Sequence, residues 1–312
     1  MAEAIEAALG AGWTAAEVAR SVGKLAGRDA RGAVESLLAG RTTVLDPRVA
    51  TLVLAALEAL GRPPAGAVPV GAEAAVDRAV LERVRALLAK AESTTFEPEA
   101  DALTAKAHEL MARYAIDAAA VGDQRGQSGG PVVSLRIGLD EPYERAKARL
   151  VFVLTRSCRC KAVWMSQFGL MVVFGHADDL KAVELLHTSL LVQATSAMLA
   201  AGGDQPGGHE RSRGFRNAFL YSYATRVGER LAESGAAVVA DARRAHGDAL
   251  LPVLASRLDA VERAVDDAFP RLERTRASSS DAQGWRAGRE AASKADLGGR
   301  RIDGSIGQLR AG

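Results

Sequence analysis

Apolar positions recur along this chain with two periods, and the places where the period changes divide it into units. Residues 1–60 carry short helical stripes punctuated by caps. Thr14-Ala15-Ala16-Glu17 fits a capping box, and Asp46-Pro47 fits an N-cap followed by proline at the first helical position. Gly10, Gly23, Gly40 and Gly61 fall where helix ends are expected, so four short helices are predicted. From Val80 to Val121 two matched stripes face each other across a short turn. The first is Val80, Val84, Leu87, Leu88 and Ala91, and the second is Leu103, Ala107, Leu110, Met111 and Tyr114, closed by Ile116. Ser93-Thr94-Thr95 stops the first helix, because hydroxyl side chains compete for backbone hydrogen bonds there. Pro98 then suits the first turn of the second, with Glu97, Glu99 and Asp101 at the positive end of its dipole.

Beyond Val132 the period falls to two. Val133, Leu135 and Ile137 alternate with other residues; Cys160–Met165 and Leu170–Phe174 are β-rich runs joined at Gln167-Phe168-Gly169, a predicted hairpin. Helical spacing holds from Tyr143 to Arg156, from Asp178 to Leu199, and from Phe215 to Glu233, whose stripe of Phe215, Phe219, Tyr223 and Val227 is expected to face the sheet. Further helices are predicted over Ala236–Ala245 and Leu254–Phe269, before Pro270. The fold class expected is α+β, predominantly α-helical: an N-terminal helical module (1–62), a helical hairpin (73–121), a small antiparallel sheet packed by long helices (131–235), and a helical C-terminal extension (236–312) ending in a mobile basic tail. Pro/Gly-rich linkers are expected at Gly61–Gly71 and Gly122–Pro131.

The hairpin residues Leu87, Leu88, Ala91, Ser93, Glu99, Ala100, Ala105, Ala107, Leu110, Met111, Tyr114 and Ile116 resemble the domain-of-unknown-function family 2786. Its pattern is a Leu-rich helix ending Ala-x-Ser, an acidic turn, and an Ala-rich helix ending Leu-Met-x-(Lys/Arg)-Tyr-x-Ile. The likeness covers about residues 78–120. Residues 130–235 look like a second uncharacterised domain that follows this hairpin in bacterial and bacteriophage proteins. The resemblance implies an architecture and a phage or mobile-element setting; it implies no reaction.

Composition narrows the classes. With 48% hydrophobic but only 4% aromatic residues, burial must come from Leu, Val and Ala. Arginine outnumbers lysine 33 to 7, which suggests a GC-rich bacterial genome more than a function. No apolar run reaches the ~18 residues of a membrane span, and the acidic start does not read as a signal peptide. Two cysteines make no disulfide framework, so a cytoplasmic protein is the expectation. Net charge runs from −3 over residues 1–130 to +1 over 131–270 and +4 over 271–312.

Candidate chemistry is sparse. None of the five histidines lies in an H-E-x-x-H spacing, and no G-x-S-x-G elbow or phosphate-binding G-x-x-x-x-G-K-(S/T) occurs. His176, Asp178 and Asp179 cluster at a strand-to-helix junction; with His209 and Glu210 brought near, they could serve a metal-assisted hydrolase. Cys158-Arg159-Cys160 lacks the second ligand pair of a structural zinc site and is expected to be buried at a strand start. Ala30–Leu38 sits where a helix-turn-helix would place its reading helix, yet offers few groove-facing polar groups. Arg211, Arg213 and Arg216 beside a helix start, and Arg286, Arg289, Arg300 and Arg301 near Trp285, are the candidate contacts for an anion or nucleic acid. The reading that results is a non-enzymatic binding or accessory protein, without a cofactor, engaging nucleic acid or a protein partner. The alternatives are the hydrolase and a helical scaffold that oligomerises through Ala-rich stripes.

Overall fold

The computed structural model describes residues 1–41, 46–61, 77–94, 96–124, 130–201, 212–272 and 282–294. Among them are eleven α-helices and one three-stranded antiparallel sheet, an α+β arrangement dominated by helix. The N-terminal helices are α1 (Ala2–Gly10), α2 (Ala15–Ala26), α3 (Arg28–Leu38) and α4 (Pro47–Leu60). The Thr14 capping box forms: the Glu17 N–H donates to Thr14 Oγ1 at 3.3 Å, and the Thr14 N–H donates to Glu17 Oε2 at 2.9 Å. Asp46 caps α4 by accepting from the Arg48 N–H at 2.8 Å.

Gly23 does not end a helix as expected. It lies inside α2, which runs on to Gly27, and the missing side chain makes room for Arg31: a Cβ there would stand 3.0 Å from the Arg31 Cβ. Ile5, Trp13, Val18, Val22, Val34, Val53 and Leu57 close a small core of their own, to which Leu170 of the sheet and Phe168 of the turn before it are added.

The hairpin is α5 (Arg78–Ser93) and α6 (Glu97–Gln124). The helix thus passes the expected linker start at Gly122. At the turn, Thr94 Oγ1 accepts from the Phe96 N–H at 3.3 Å and donates to Glu99, which also pairs with Lys90 at 2.7 Å. At the open end, Tyr114 Oη accepts from the Asp77 N–H at 3.2 Å, just before α5 begins. Val84, Leu88, Ala107 and Met111 enter the main core, while Ala112, Ile116 and Ala120 pack on the far half of α9 (Arg213–His246).

Strands β1 (Val132–Gly138), β2 (Lys161–Met165) and β3 (Leu170–His176) form the sheet in the order β1-β3-β2. A 3₁₀ turn over Ser166–Phe168 and a left-handed Gly169 make the β2–β3 connection. Because side chains alternate along β3, Met171 and Val173 face α7 (Glu144–Ser157) and α8 (Ala177–Ala201), whereas Val172 and Phe174 meet Val261 and Val265 of α10 (Leu250–Ala268). Leu170, on the same face as Val172, carries the N-terminal module. Every residue of β3 is therefore buried.

The Phe215–Phe219–Tyr223–Val227 stripe does not face the sheet. α9 packs on α7, α6, α8 and α11 (Ala282–Lys294). α7 already covers that side of the sheet, and its own apolar residues Val151 and Leu154 fill the space. The stripe meets helices instead. Nor does α9 stop near residue 235; it is continuous to His246. α11 lies close along it, since a Cβ at Gly284 would come 2.3 Å from the Phe215 carbonyl oxygen and one at Gly288 2.2 Å from that of Phe219. No described helix is long and apolar enough to cross a membrane.

Candidate functional site: a buried ion cluster and a basic end

The strand-to-helix junction builds a buried ion cluster, but around Asp179 rather than Asp178. β3 ends at His176 and α8 starts at Ala177, which places Asp178 and Asp179 in the first helical turn, where the helix dipole favours anions. Asp179 is 1% exposed. Its Oδ1 takes Arg159 Nη2 at 2.6 Å, and Arg257 Nη2 of α10 lies 3.6 Å from its Oδ2. Arg159 reaches it from an unusual backbone. α7 ends in a Schellman turn, with the Cys160 N–H donating to the Thr155 carbonyl at 2.8 Å, and Arg159 holds the left-handed position (φ 55) where glycine is the common residue. A left-handed non-glycine costs on the order of 1 kcal/mol or more, which the charge-assisted bond to a buried carboxylate offsets.

Around this centre burial shifts the remaining groups toward their neutral forms. His176 Nε2 lies 3.4 Å from the Arg257 carbonyl oxygen, and burial, then Arg257, depresses its pKa. Burial, then Asp179, raises the Asp178 carboxyl above its ordinary range. His108 of α6 is 1% exposed with no close hydrogen-bond partner, and burial, then Arg159, lowers its pKa to about 4 against a weaker upward pull from the Ser157 backbone carbonyl. His187 is lowered to about 4 in the same way, by burial and then Lys147. Burial pushes the Cys158 thiol up to about 12 and Cys160 well above its ordinary value. Such thiols are inert nucleophiles. Both cysteines are buried, as expected for the start of β2. Among the described residues no three His, Cys, Asp or Glu side chains gather as a metal site. His209 and Glu210 lie outside the described residues.

The candidate arginines divide into structural and exposed groups. Arg289 forks onto Glu229 of α9, with both Nη atoms 3.1 Å from its carboxylate oxygens, and Arg226 joins at 2.9 Å. Burial raises the Glu229 pKa, but Arg289 and Arg226 outweigh it and the net direction is down. Arg289 thus fastens α11 to α9. Arg286 is exposed on α11; Arg213 and Arg216 sit in the first turn of α9, where Ser212 Oγ accepts from the Phe215 N–H at 3.1 Å. Neither Arg213 nor Arg216 has an ion-pair partner among the described residues. Arg211, Arg300 and Arg301 lie outside them.

Sequence reasoning missed a second charged region, where the N-terminal module meets the loop after β1. Asp140 accepts Arg20 Nε at 3.1 Å and Arg31 Nη1 at 3.3 Å, while Lys24 Nζ reaches Glu141 at 2.9 Å and Glu144 at 2.7 Å. Arg20 crosses Gly138, where a Cβ would sit 2.2 Å from the guanidinium carbon. Beside them Arg136 of β1 pairs with Glu17 at 2.7 Å, both under 10% exposed, donates to the Gly12 carbonyl at 2.7 Å, and lies over the Trp13 ring. Lys24, Arg28 and Arg213 all act on Glu141 and lower its pKa, the Lys24 hydrogen bond foremost. The start of α9 and the basic face of α2–α3 therefore both lie within electrostatic reach of Glu141, though only Lys24 pairs with it. The available signal was Arg20, Lys24, Arg28 and Arg31 at helical spacing, opposite the acids of Asp140-Glu141-Pro142-Tyr143-Glu144.

Residues 79–118 match the model of a family described as "Protein of unknown function (DUF2786)". The chain has no significant match among curated proteins or solved structures. The family match ends at the hairpin, and the basic end lies outside it.

Proposed function

We propose that this is a non-enzymatic, nucleic-acid-associated binding protein that works through its basic end. The observation that carries the reading is that Arg28 opens α3 and Arg213 opens α9, neither with an ion-pair partner among the described residues. Arg216 follows one turn into α9. Arginines beside two helix starts, without an ion pair among the described residues, suit phosphate oxygens. The interior supports the same reading, because its ionised groups pair with one another and its thiols and imidazoles are held neutral. The test is electrophoretic retardation of a short DNA duplex and a single-stranded RNA at about 50 mM salt, with affinity falling log-linearly as salt rises. Replacing Arg213 and Arg216 by glutamate is expected to weaken binding by tenfold or more and flatten the salt slope. Unretarded probes of both kinds would sink the proposal.

A specific observation also favours the hydrolase reading. Asp178 is half-buried with a raised carboxyl pKa next to His176, as in sites that tune a general acid. Elemental analysis of the purified protein decides it: zinc, manganese or iron at one ion per chain would support the hydrolase.

A further inference from the structure

We propose that the loop Asp140–Glu144 is a built-in polyanion mimic, occupying the basic face of α2 and α3 and competing there with nucleic acid. The inference rests on the binding reading above and adds its regulation and a second contact surface. Arg20 and Lys24 of α2, and Arg31 of α3, each direct a charged nitrogen at this loop within 3.3 Å. Arg28, the first residue of α3, has no ion pair among the described residues and adds a weaker, longer-range pull on Glu141. Three carboxylates in five residues thus answer a stripe of four cations. Guanidinium and ammonium groups grip phosphates in the same way.

The two sides of the contact differ in how firmly they are built. Lys147 Nζ donates to the Asp140 carbonyl oxygen at 2.6 Å, which fixes the loop to α7. On the module side, Glu35 shares Arg31 at 2.8 Å, so that guanidinium is divided between two carboxylates. Glu141 is 64% exposed and Asp140 47% exposed. Pairs made by such solvent-facing carboxylates are individually weak and screened by salt, so a polyanion can displace them. The Lys24–Glu144 pair, 23% and 14% exposed, is the more enclosed part of the contact. The buried Glu17–Arg136 pair and the Trp13–Phe168 edge contact (5.7 Å) hold the module's other side and do not depend on the loop. Neutralising the loop should therefore free the basic face without detaching the module.

The experiment compares the full-length parent with the triple variant Asp140→Asn/Glu141→Gln/Glu144→Gln, and with Glu141→Gln alone. Affinity for a fluorescent short DNA duplex and a single-stranded RNA is read at about 50 and 200 mM salt. The triple variant is expected to bind at least tenfold tighter than the parent at the lower salt, with a steeper salt slope. Glu141→Gln, the most exposed change, should give part of that gain with an unaltered melting curve. Adding Lys24→Ala and Arg28→Ala to the triple variant should erase the gain. If the parent binds and neither loop variant binds tighter, the mimic is overturned while the binding reading stands. If neither parent nor variants bind, both are overturned. If only the variants bind, the mimic is upheld and the parent is its closed form.

Discussion

Two interfaces hold this molecule together by opposite means. The hairpin, α7, α8 and α9 share an apolar core in which Met111, Leu154, Leu190 and Phe219 are at most 1% exposed. The N-terminal module meets the sheet through Phe168 and Leu170 and is otherwise seated by ion pairs to Asp140, Glu141, Glu144 and Arg136. An apolar contact is non-directional and is repaid by area alone. An ionic one requires geometry, and its worth depends on how far water is excluded. The first kind of interface resists salt; the second can be released.

Truncation in the apolar core gives the largest expected effect. Phe219→Ala should cost about 3–5 kcal/mol in urea unfolding, as ring removal from a filled core does, and the loss should be the same at low and high salt. Phe219 also presents its backbone to Gly288, so α11 is expected to loosen with it. A loss below about 1 kcal/mol would mean that the stripe is not the core element described.

Breaking the buried pair at the module comes next. Arg136→Met leaves Glu17 charged and enclosed, an arrangement that typically costs about 3 kcal/mol or more. The double replacement Arg136→Met/Glu17→Met should recover most of the loss, apart from about 1 kcal/mol for the Thr14 capping box that Glu17 also completes. If the double variant is no better than the single one, the pair is not the unit argued here.

These two interfaces also differed in legibility. Periodicity placed α5, α6, α8 and the three strands, because a buried stripe leaves a regular trace in the sequence. It also picked out Phe215, Phe219 and Tyr223, but not the partner they face, since a stripe records that something covers it and not what. The ionic seat left only a stripe of cations, Arg20, Lys24, Arg28 and Arg31, with nothing in the sequence to say which acids they meet. Arg20 and Asp140 look like ordinary surface residues until the chain brings them together over Gly138. The same holds for the interior cluster: the junction at His176 and Asp178 was visible, while Arg159 and Arg257 come from a helix end and a helix far away in sequence. A left-handed arginine gives no warning in one dimension.

His108 lets the comparison be made by pH. Its folded pKa of about 4 lies below the ordinary 6.5, so the fold holds the neutral ring. Between those values the unfolded chain binds more protons than the folded one, and stability rises with pH. The contribution is complete above about pH 6.5 and is lost as pH falls toward 4, by roughly 3 kcal/mol. His108→Leu should remove this part of the slope, leaving that of His187, and should cost no more than about 1 kcal/mol at neutral pH, because the ring's polar contact is at most one weak bond to the Ser157 backbone. Urea midpoints across that range read it directly. An unchanged slope would show that the ring is hydrated in solution.

The smallest effect belongs to the exposed end of the ionic seat. Burial raises the Asp140 carboxyl, but Arg20 and then Arg31 outweigh it and hold the pKa below its ordinary value. Its stabilisation is therefore present above about pH 4 and fades as the carboxylate protonates below that. Being nearly half exposed, it earns the discount due to solvent screening: Asp140→Asn should cost no more than about 1 kcal/mol at low salt. Raising salt to about 1 M, where the screening length is about 3 Å, should bring parent and variant together. The Phe219→Ala deficit should persist under the same conditions. Were the Asp140→Asn deficit equally indifferent to salt, the seat would be a packed interface like the core, and the loop could not yield to a polyanion.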